Sequence, residues 1–175
     1  MNRKLLIVID MQKDFVTGAF GTKYAKKIVP KVVEKIKNWE GTVRFTRDIH
    51  YNNNYIENNL QSIESQRYPK HCIFETSGSK IIPELEDFIT DRTYIKHTFA
   101  FDWSKIDLSS YDEIEIVGLT TDVCIISNAL MLRSLRPYIK IVVDASCCAG
   151  TTKEAHENAL KVMENCCIDV INKEE

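Results

Sequence analysis

The chain has 175 residues, of which 44% are hydrophobic, and it carries a formal net charge of -2 at pH 7. This length suits one domain over residues 1–175 with a core of its own, and the near-neutral charge provides no basic field for nucleic acid. The first apolar run is short and ends at Asp10, so it predicts neither a signal peptide nor a membrane span, and we expect a cytoplasmic protein.

Short runs rich in β-branched residues alternate along the chain with helical patterns. The runs predict six strands, at 4–10, 41–48, 92–98, 112–119, 139–145 and 167–171. Helices are predicted at 23–40, at 124–136 before Pro137, and from Thr151 or Thr152 to residue 165. This alternation predicts an α/β fold, in which a six-stranded parallel sheet carries helices on both faces as a Rossmann-like three-layer sandwich.

Two features depart from this regular pattern. Residues 48–78 form a long polar segment without a clear period, and such loops in compact domains tend to be functional. Four of the six cysteines form the vicinal pairs Cys147–Cys148 and Cys166–Cys167. We expect these four and Cys72 to be reduced thiols that fill core positions, because free cysteine is among the most buried residue types.

Three residues suited to catalysis, Asp10, Lys96 and Cys124, lie near or just after the ends of predicted strands. The carboxyl ends of parallel strands meet at one edge of a sheet, where α/β proteins bind their ligands. The pKa of a thiol falls at a helix N-terminus and beside a cation, so these surroundings suit a nucleophilic Cys124. A neighbouring carboxylate could accept its proton, and the backbone N–H groups from Thr120 to Cys124 could bind an oxyanion.

Three stretches, "LLIVIDMQKDF", "IKHTFAF" and "VGLTTDVCIISNAL", together resemble the isochorismatase-like cysteine hydrolases over about residues 4–150. The resemblance implies an Asp-Lys-Cys triad at Asp10, Lys96 and Cys124, and a thioester intermediate on the cysteine. It also implies a cis peptide between Leu119 and Thr120, which would turn the Thr120 N–H, with that of Cys124, toward the oxyanion.

The long polar segment contains a candidate metal site. Asp48 and His50 lie two residues apart, and Glu64 and His71 follow, which together form a plausible ligand set for Zn, Fe or Mn. The pattern "DxH" followed by "Exxx[YF]PxH" resembles the metal site of nicotinamidases and implies one divalent metal ion, with Zn favoured. Glu57 is the alternative to Glu64 as the fourth ligand.

The same resemblance implies an aromatic pocket of Phe15, Tyr68 and Phe99 around a flat pyridine ring. It further implies hydrolysis of nicotinamide, a small-molecule amide, to nicotinate and ammonia, as in NAD salvage. The metal would hold the ring nitrogen. Members of this family often form homo-oligomers, although no interface can be recognised in the sequence.

Two other functions remain open at this point. An amidohydrolase of the same superfamily that acts on a ureido or carbamoyl substrate would keep the triad but lack the metal ligands. A non-enzymatic metal-binding or redox-sensing module would need neither Asp10 nor Lys96. A dinucleotide oxidoreductase is disfavoured because the first turn, "DMQKDF", has no glycine-rich phosphate cradle.

Overall fold

The computed structural model describes residues 3–51 and 62–173. Within these residues the chain forms one six-stranded parallel sheet with the strand order β3-β2-β1-β4-β5-β6. Its strands are β1 (Lys4–Ile9), β2 (Thr42–Asp48), β3 (Tyr94–Lys96), β4 (Glu113–Leu119), β5 (Lys140–Ala149) and β6 (Asp169–Ile171). The predicted α/β fold with a six-stranded parallel sheet is confirmed.

Helices connect the strands and carry recognisable start signals. They are α1 (Lys13–Val16), α2 (Lys23–Lys37), α3 (Ile63–Arg67), α4 (Pro83–Glu86), α5 (Ile126–Leu135) and α6 (Lys153–Asn165). The hydroxyls of Thr22 and Thr152 accept the N–H groups of Ala25 and Ala155 at 3.0 Å, and so cap α2 and α6. Within the described residues, no helix is both long and apolar enough to cross a membrane.

The helices cover both faces of the sheet, and each face has its own apolar core. Successive strand residues point to opposite faces, so Leu6 and Val8 of β1 enter one core while Leu5, Ile7 and Ile9 enter the other. Helix α2 packs on the first face, and α5 and α6 pack on the second. Every residue of β1 from Leu5 to Ile9 is therefore buried.

Several sequence-based boundaries differ from the structure, among them the end of α2 at Lys37 and the start of β6 at Asp169, and one burial prediction also differs. Strand β3 has only three residues, and β5 continues to Ala149, which places Cys147 and Cys148 inside a buried strand. All six cysteines lie within the described residues and are free thiols. The burial prediction is wrong for Cys166 and Cys167, which are exposed because α6 ends at Asn165 and the chain turns there before β6.

The order of the strands reverses at β1, which lies between β2 and β4, and this reversal opens a crevice at the carboxyl ends of the strands. Strands β1 and β4 come very close near this point. Gly118 has a φ of +120°, and a Cβ built there would lie 2.1 Å from the carbonyl oxygen of Ile9. Glycine at this position therefore lets β4 approach β1, and it brings the turn after β4 beside Asp10.

Candidate active site

The three residues predicted to be catalytic meet in the crevice. Asp10 directly follows β1, Lys96 is the last residue of β3, and Cys124 lies in the π-helical turn Thr121–Ile125 that joins β4 to α5. They are only 0%, 3% and 4% exposed. The crevice thus encloses a carboxyl group, an ammonium group and a thiol, contributed by three separate strand ends.

Lys96 is the centre of this cluster. Its Nζ lies 2.7 Å from Asp10 Oδ2 and 3.7 Å from Cys124 Sγ, and it donates to the carbonyl of Thr98 at 2.9 Å. The other oxygen of the Asp10 carboxyl accepts a hydrogen bond from the Thr46 hydroxyl at 2.7 Å. These contacts fix the Asp10 carboxyl and leave the ammonium group facing the sulfur.

Burial changes the protonation of the cluster. It raises the pKa of the Cys124 thiol well above its ordinary value, against the opposing charge of Lys96. It raises the pKa of Asp10 as well, again against Lys96. Burial alone would lower the pKa of Lys96, but the surrounding anions, Asp10 first among them, outweigh it and keep this pKa above its usual range.

The thiol pKa therefore differs from the sequence-based expectation of a lowered value. The reason is that the sulfur is enclosed, so desolvation exceeds the attraction of the cation. At rest Cys124 holds its proton, and Asp10 is a stronger base than an ordinary aspartate. This combination suits proton transfer from the thiol to the carboxylate at the moment of attack.

The turn that carries the cysteine begins with a cis peptide between Leu119 and Thr120, at the position that the resemblance implies. The carbonyl of Thr120 accepts the N–H groups of Val123 at 3.2 Å and of Ile125 at 3.0 Å. These bonds close the turn over the Thr120 carbonyl. The proposed oxyanion donors, the N–H groups of Thr120 and Cys124, belong to this turn.

Asn128 is a buried polar residue that the sequence analysis did not select. Its Nδ2 donates to the carbonyls of Cys124 at 2.7 Å and Phe99 at 3.1 Å, while its Oδ1 accepts the Phe101 N–H at 3.0 Å and the Trp103 Nε1–H at 2.8 Å. One amide therefore joins the nucleophile's turn to the loop after Lys96. The sequence does contain a sign of this role: in "CIISNAL", a polar residue stands four positions after the cysteine, on a helix that faces the core.

The four predicted metal ligands also come together, beside the first cluster. One ligand atom from each of Asp48, His50, Glu64 and His71 lies within 4.8 Å of all the others. Asp48 Oδ2 is 2.9 Å from His50 Nε2 and 3.4 Å from His71 Nε2, and Glu64 Oε1 is 3.6 and 3.8 Å from the same two nitrogens. Glu57 lies outside the described residues.

The donor set fits a divalent cation. The Nδ1–H of His71 donates to the carbonyl of Pro69 at 2.8 Å, so in the neutral ring the proton is on Nδ1, and Nε2, which faces the cluster, can bind a cation, as in many histidine metal ligands. Among the described residues, Asp48 Oδ1 is buried without a hydrogen-bond donor, and Lys96 Nζ stands 3.6 Å away. A divalent cation would balance the carboxylates of Asp48 and Glu64, which Lys96 alone does not neutralise.

The pKa values of these carboxylates diverge. Burial would raise the pKa of Asp48, but Lys96 and then His50 outweigh it and hold this pKa far below its usual range. The pKa of Glu64 is raised by burial and by the neighbouring Asp48. Asp48 is thus the ligand that ionises more easily. A bound cation would offset the repulsion between the two carboxylates and so favour the ionised form of Glu64.

Side chains of the segment after β1 hold the ligand loops in place. Gln12 Oε1 accepts the Asp48 N–H at 2.7 Å, and Gln12 Nε2 donates to the carbonyls of Asp48 at 2.8 Å and Ser79 at 2.9 Å. Asp14 Oδ2 accepts the N–H of Cys72 at 2.7 Å, next to His71. The stretch "DMQKDF" therefore contributes support for the metal ligands in addition to Asp10.

Aromatic rings surround the space beside His71. Phe15, predicted for the substrate pocket, lies 5.6 Å from the His71 ring, and Tyr68 lies 6.3 Å from Phe99. Phe20 was not predicted, yet its ring is 4.7 Å from His71, 5.7 Å from Tyr68 and 5.9 Å from Phe15. These rings provide flat apolar surface next to the metal ligands.

Comparisons with known proteins agree with this arrangement. The isochorismatase domain model matches residues 4–175. The nicotinamidase of Saccharomyces cerevisiae is 24% identical over 188 residues, which cover 81% of this chain and 86% of that protein.

Solved structures are similar over almost the whole chain. The pyrazinamidase of Pyrococcus horikoshii, crystallised in complex with zinc, has a TM-score of 0.78 and 26% identity, covering 98% of this chain and 99% of that one. The pyrazinamidase/nicotinamidase of Streptococcus mutans has a TM-score of 0.77 and 27% identity, covering 96% of this chain and 99% of that one. The similarity therefore extends over at least 96% of this chain.

Proposed function

The chain belongs to the isochorismatase family, and we propose that it is a metal-dependent nicotinamidase, which hydrolyses nicotinamide to nicotinate and ammonia. The observation that carries the proposal is the contact between the two buried clusters. Lys96 Nζ lies 2.7 Å from the Asp10 carboxyl of the first and 3.6 Å from the Asp48 carboxyl of the second. The proposed nucleophile and the proposed metal site are therefore neighbours, so a pyridine ring held at the metal could present its carboxamide to the cysteine.

In the acylation step, Asp10 accepts the proton of the Cys124 thiol as the sulfur attacks the carboxamide carbon. Lys96 stabilises the thiolate while it forms, since its Nζ lies 3.7 Å from the sulfur. The carbonyl oxygen of the amide gains negative charge, and the backbone N–H groups of Thr120 and Cys124 stabilise it.

Asp10, now protonated, donates its proton to the departing nitrogen, and ammonia leaves. The acyl group remains on Cys124 as a thioester. Asp10 is then a carboxylate again and can accept a proton from a water molecule that attacks the thioester carbon. The C–S bond breaks to release nicotinic acid, which ionises to nicotinate, and the Cys124 thiolate regains its proton from Asp10, whose raised pKa suits a group that exchanges this proton repeatedly.

Asp48, His50, Glu64 and His71 would hold the metal ion, for which zinc is our favoured identity. When bound, a divalent cation supplies a Lewis acid that binds the pyridine nitrogen and so fixes the orientation of the ring. The rings of Phe15, Phe20, Tyr68 and Phe99 would enclose the flat substrate. The zinc complex of the Pyrococcus horikoshii pyrazinamidase supports this ion for the site.

Ammonia release from a panel of amides, with metal analysis of the same sample, tests the proposal. Nicotinamide and pyrazinamide should be hydrolysed, whereas benzamide should be a poor substrate because its ring has no nitrogen to bind the metal. A metal-free preparation that hydrolyses all three equally would contradict the proposal. Turnover of ureido compounds alone would instead favour the other amidohydrolases of the superfamily, and no turnover at all would favour a binding module.

A pair of histidine variants separates the two clusters. His71→Ala should lose metal and nicotinamide hydrolysis together, while iodoacetamide still alkylates Cys124. The matched control is His156→Ala, which removes an imidazole on α6, outside the ligand set, and should retain the metal. A metal-free His71→Ala protein with the wild-type rate would refute the role of the metal in substrate binding.

A further inference from the structure

The turn that carries both proposed oxyanion donors is held from outside by the β5–α6 connection and by the first turn of α6. Thr121 Oγ1 and His156 Nδ1 share a hydrogen bond at 2.7 Å. Asp122 Oδ1 accepts the Thr151 N–H at 2.9 Å, and Asp122 Oδ2 accepts the Thr151 hydroxyl at 2.6 Å. Two consecutive residues of the turn are thus hydrogen-bonded to Thr151 in the connection and to His156 in α6.

The bond to His156 lies closest to the chemistry. Thr121 is fully buried and directly follows Thr120, so a hydrogen bond to its side chain restrains the backbone beside the Thr120 N–H. The turn is π-helical, a geometry that seldom lasts beyond a single turn and depends on its surroundings. A side-chain bond at Thr121 therefore supplies a constraint that the turn's own backbone does not.

The first turn of α6, which carries His156, packs closely against the end of β5. A Cβ built on Gly150 would lie 2.9 Å from both the Cβ and the backbone nitrogen of His156. The absence of a side chain at Gly150 lets α6 begin against the end of β5. The imidazole reaches Thr121 from this position.

We propose that His156 is a positioning residue for the oxyanion hole, which acts through the Thr121 hydroxyl to hold the Thr120 and Cys124 N–H groups in line. This inference rests on the proposed function. Loss of one oxyanion donor typically costs about 10²- to 10³-fold in kcat, so a misaligned pair should cost about 10- to 100-fold. KM should change little, because the ring is bound on the other side of the crevice.

The test uses two variants that remove the same bond from opposite ends, His156→Leu and Thr121→Val. Each should lower kcat by about 10- to 100-fold, and the double variant should lose no more than the worse of the two, because both act through one contact. His156→Asn, which keeps a polar atom near the place of Nδ1, should restore part of the rate. Thr121→Val changes only one side-chain atom, so it tests the proposal if His156→Leu does not fold.

Affinity for pyridine-3-carbaldehyde gives a readout without turnover. Cys124 sulfur adds to the aldehyde carbon as its proton passes to Asp10, and the C=O π electrons move to the oxygen, which takes the oxyanion position, so both variants should bind the aldehyde about 10-fold or more weakly. Alkylation of Cys124 by iodoacetamide forms no oxyanion and should keep its wild-type rate. Wild-type aldehyde affinity in both variants would overturn the proposal.

Thr152→Ala is the matched control. It removes the cap of α6 and destabilises the same helix end without touching Thr121. Its melting temperature should fall while its kcat stays at the wild-type value. An equal loss of kcat in Thr152→Ala would show that His156 acts only through the stability of α6, and it would overturn the proposal.

A wild-type protein that does not hydrolyse nicotinamide would refute the proposed function. The aldehyde affinities of the variants would still test the hydrogen bond between Thr121 and His156.

Discussion

Replacing Lys96 by methionine removes the charge at the contact between the two clusters and keeps most of the side-chain volume. Its ammonium group lies 2.7 Å from Asp10 and 3.7 Å from the Cys124 sulfur, and the three residues are nearly unexposed. Breaking a buried ion pair from one side costs about 3–5 kcal/mol. If that energy is lost from the transition state, kcat/KM falls by about 10²- to 10⁴-fold.

The variant should also shift the pH dependence in a definite direction. Lys96 opposes the rise that burial causes in the pKa of Asp10, so this pKa rises further without it. Asp10 must be ionised to accept the thiol proton. The acid limb of kcat/KM should therefore move to higher pH, and part of the lost rate should return as the pH is raised.

The assay measures ammonia release from nicotinamide and the metal content of each sample. It covers about pH 5 to pH 9, the range in which perturbed carboxyl groups and histidines commonly titrate. Lys35→Met is the matched control. Lys35 is paired with Glu115 at 2.5 Å and with the buried Asp144 at 2.7 Å, away from the crevice. It should lower the melting temperature without moving the acid limb. A Lys96→Met enzyme with wild-type kcat/KM and an unmoved acid limb would refute the reasoning.

Three further outcomes are expected. Cys124→Ala should release no ammonia yet keep its metal, and residual hydrolysis would exclude the thioester. His71 must be neutral to bind metal. Burial alone would lower the pKa of His71, but the hydrogen bond to the Asp48 carboxylate outweighs burial and raises this pKa. Acidification should therefore release the metal and abolish activity together, as dialysis at stepped pH would show. Burial alone would raise the pKa of Asp144, but the hydrogen bond from Lys35 outweighs burial and lowers this pKa. The ionised Asp144 therefore stabilises the fold above the ordinary aspartate pKa, and this stabilisation is lost as the pH falls through the lowered pKa. The melting temperatures of wild type and Asp144→Asn should accordingly differ near neutral pH and converge in acid.

Much of the fold could be predicted because a parallel sheet covered on both faces leaves a strong trace in the sequence. Strand β1 is buried on both sides and appears as the unbroken apolar run "LLIVI". Thr22 and Thr152 mark helix starts by their capping hydroxyls. The placing of Asp10, Lys96 and Cys124 in one crevice also followed from the sequence, since the ends of parallel strands share an edge.

Other features depend on contacts that no local pattern encodes. The raised thiol pKa of Cys124 reflects how completely the sulfur is enclosed. Phe20 lies two residues after Gly18, in a turn that gives no sign of a binding site. It lines the site only because the folded chain places its ring against the ring of His71. Asn128 and His156 each act across 25 or more residues of chain, through hydrogen bonds that need the assembled side chains.

The position of β1 between β2 and β4 has a consequence for synthesis on the ribosome. One edge of β1 can pair as soon as β2 has emerged, but the other waits for β4, whose first paired residue, Glu113, lies opposite Lys4. At about 5–20 residues per second, this second edge stays open for roughly 5–20 s. An unpaired apolar strand edge is a template for association between chains. The nascent protein therefore passes through an aggregation-prone interval that ends when β4 pairs, and the same pairing brings Cys124 to Asp10.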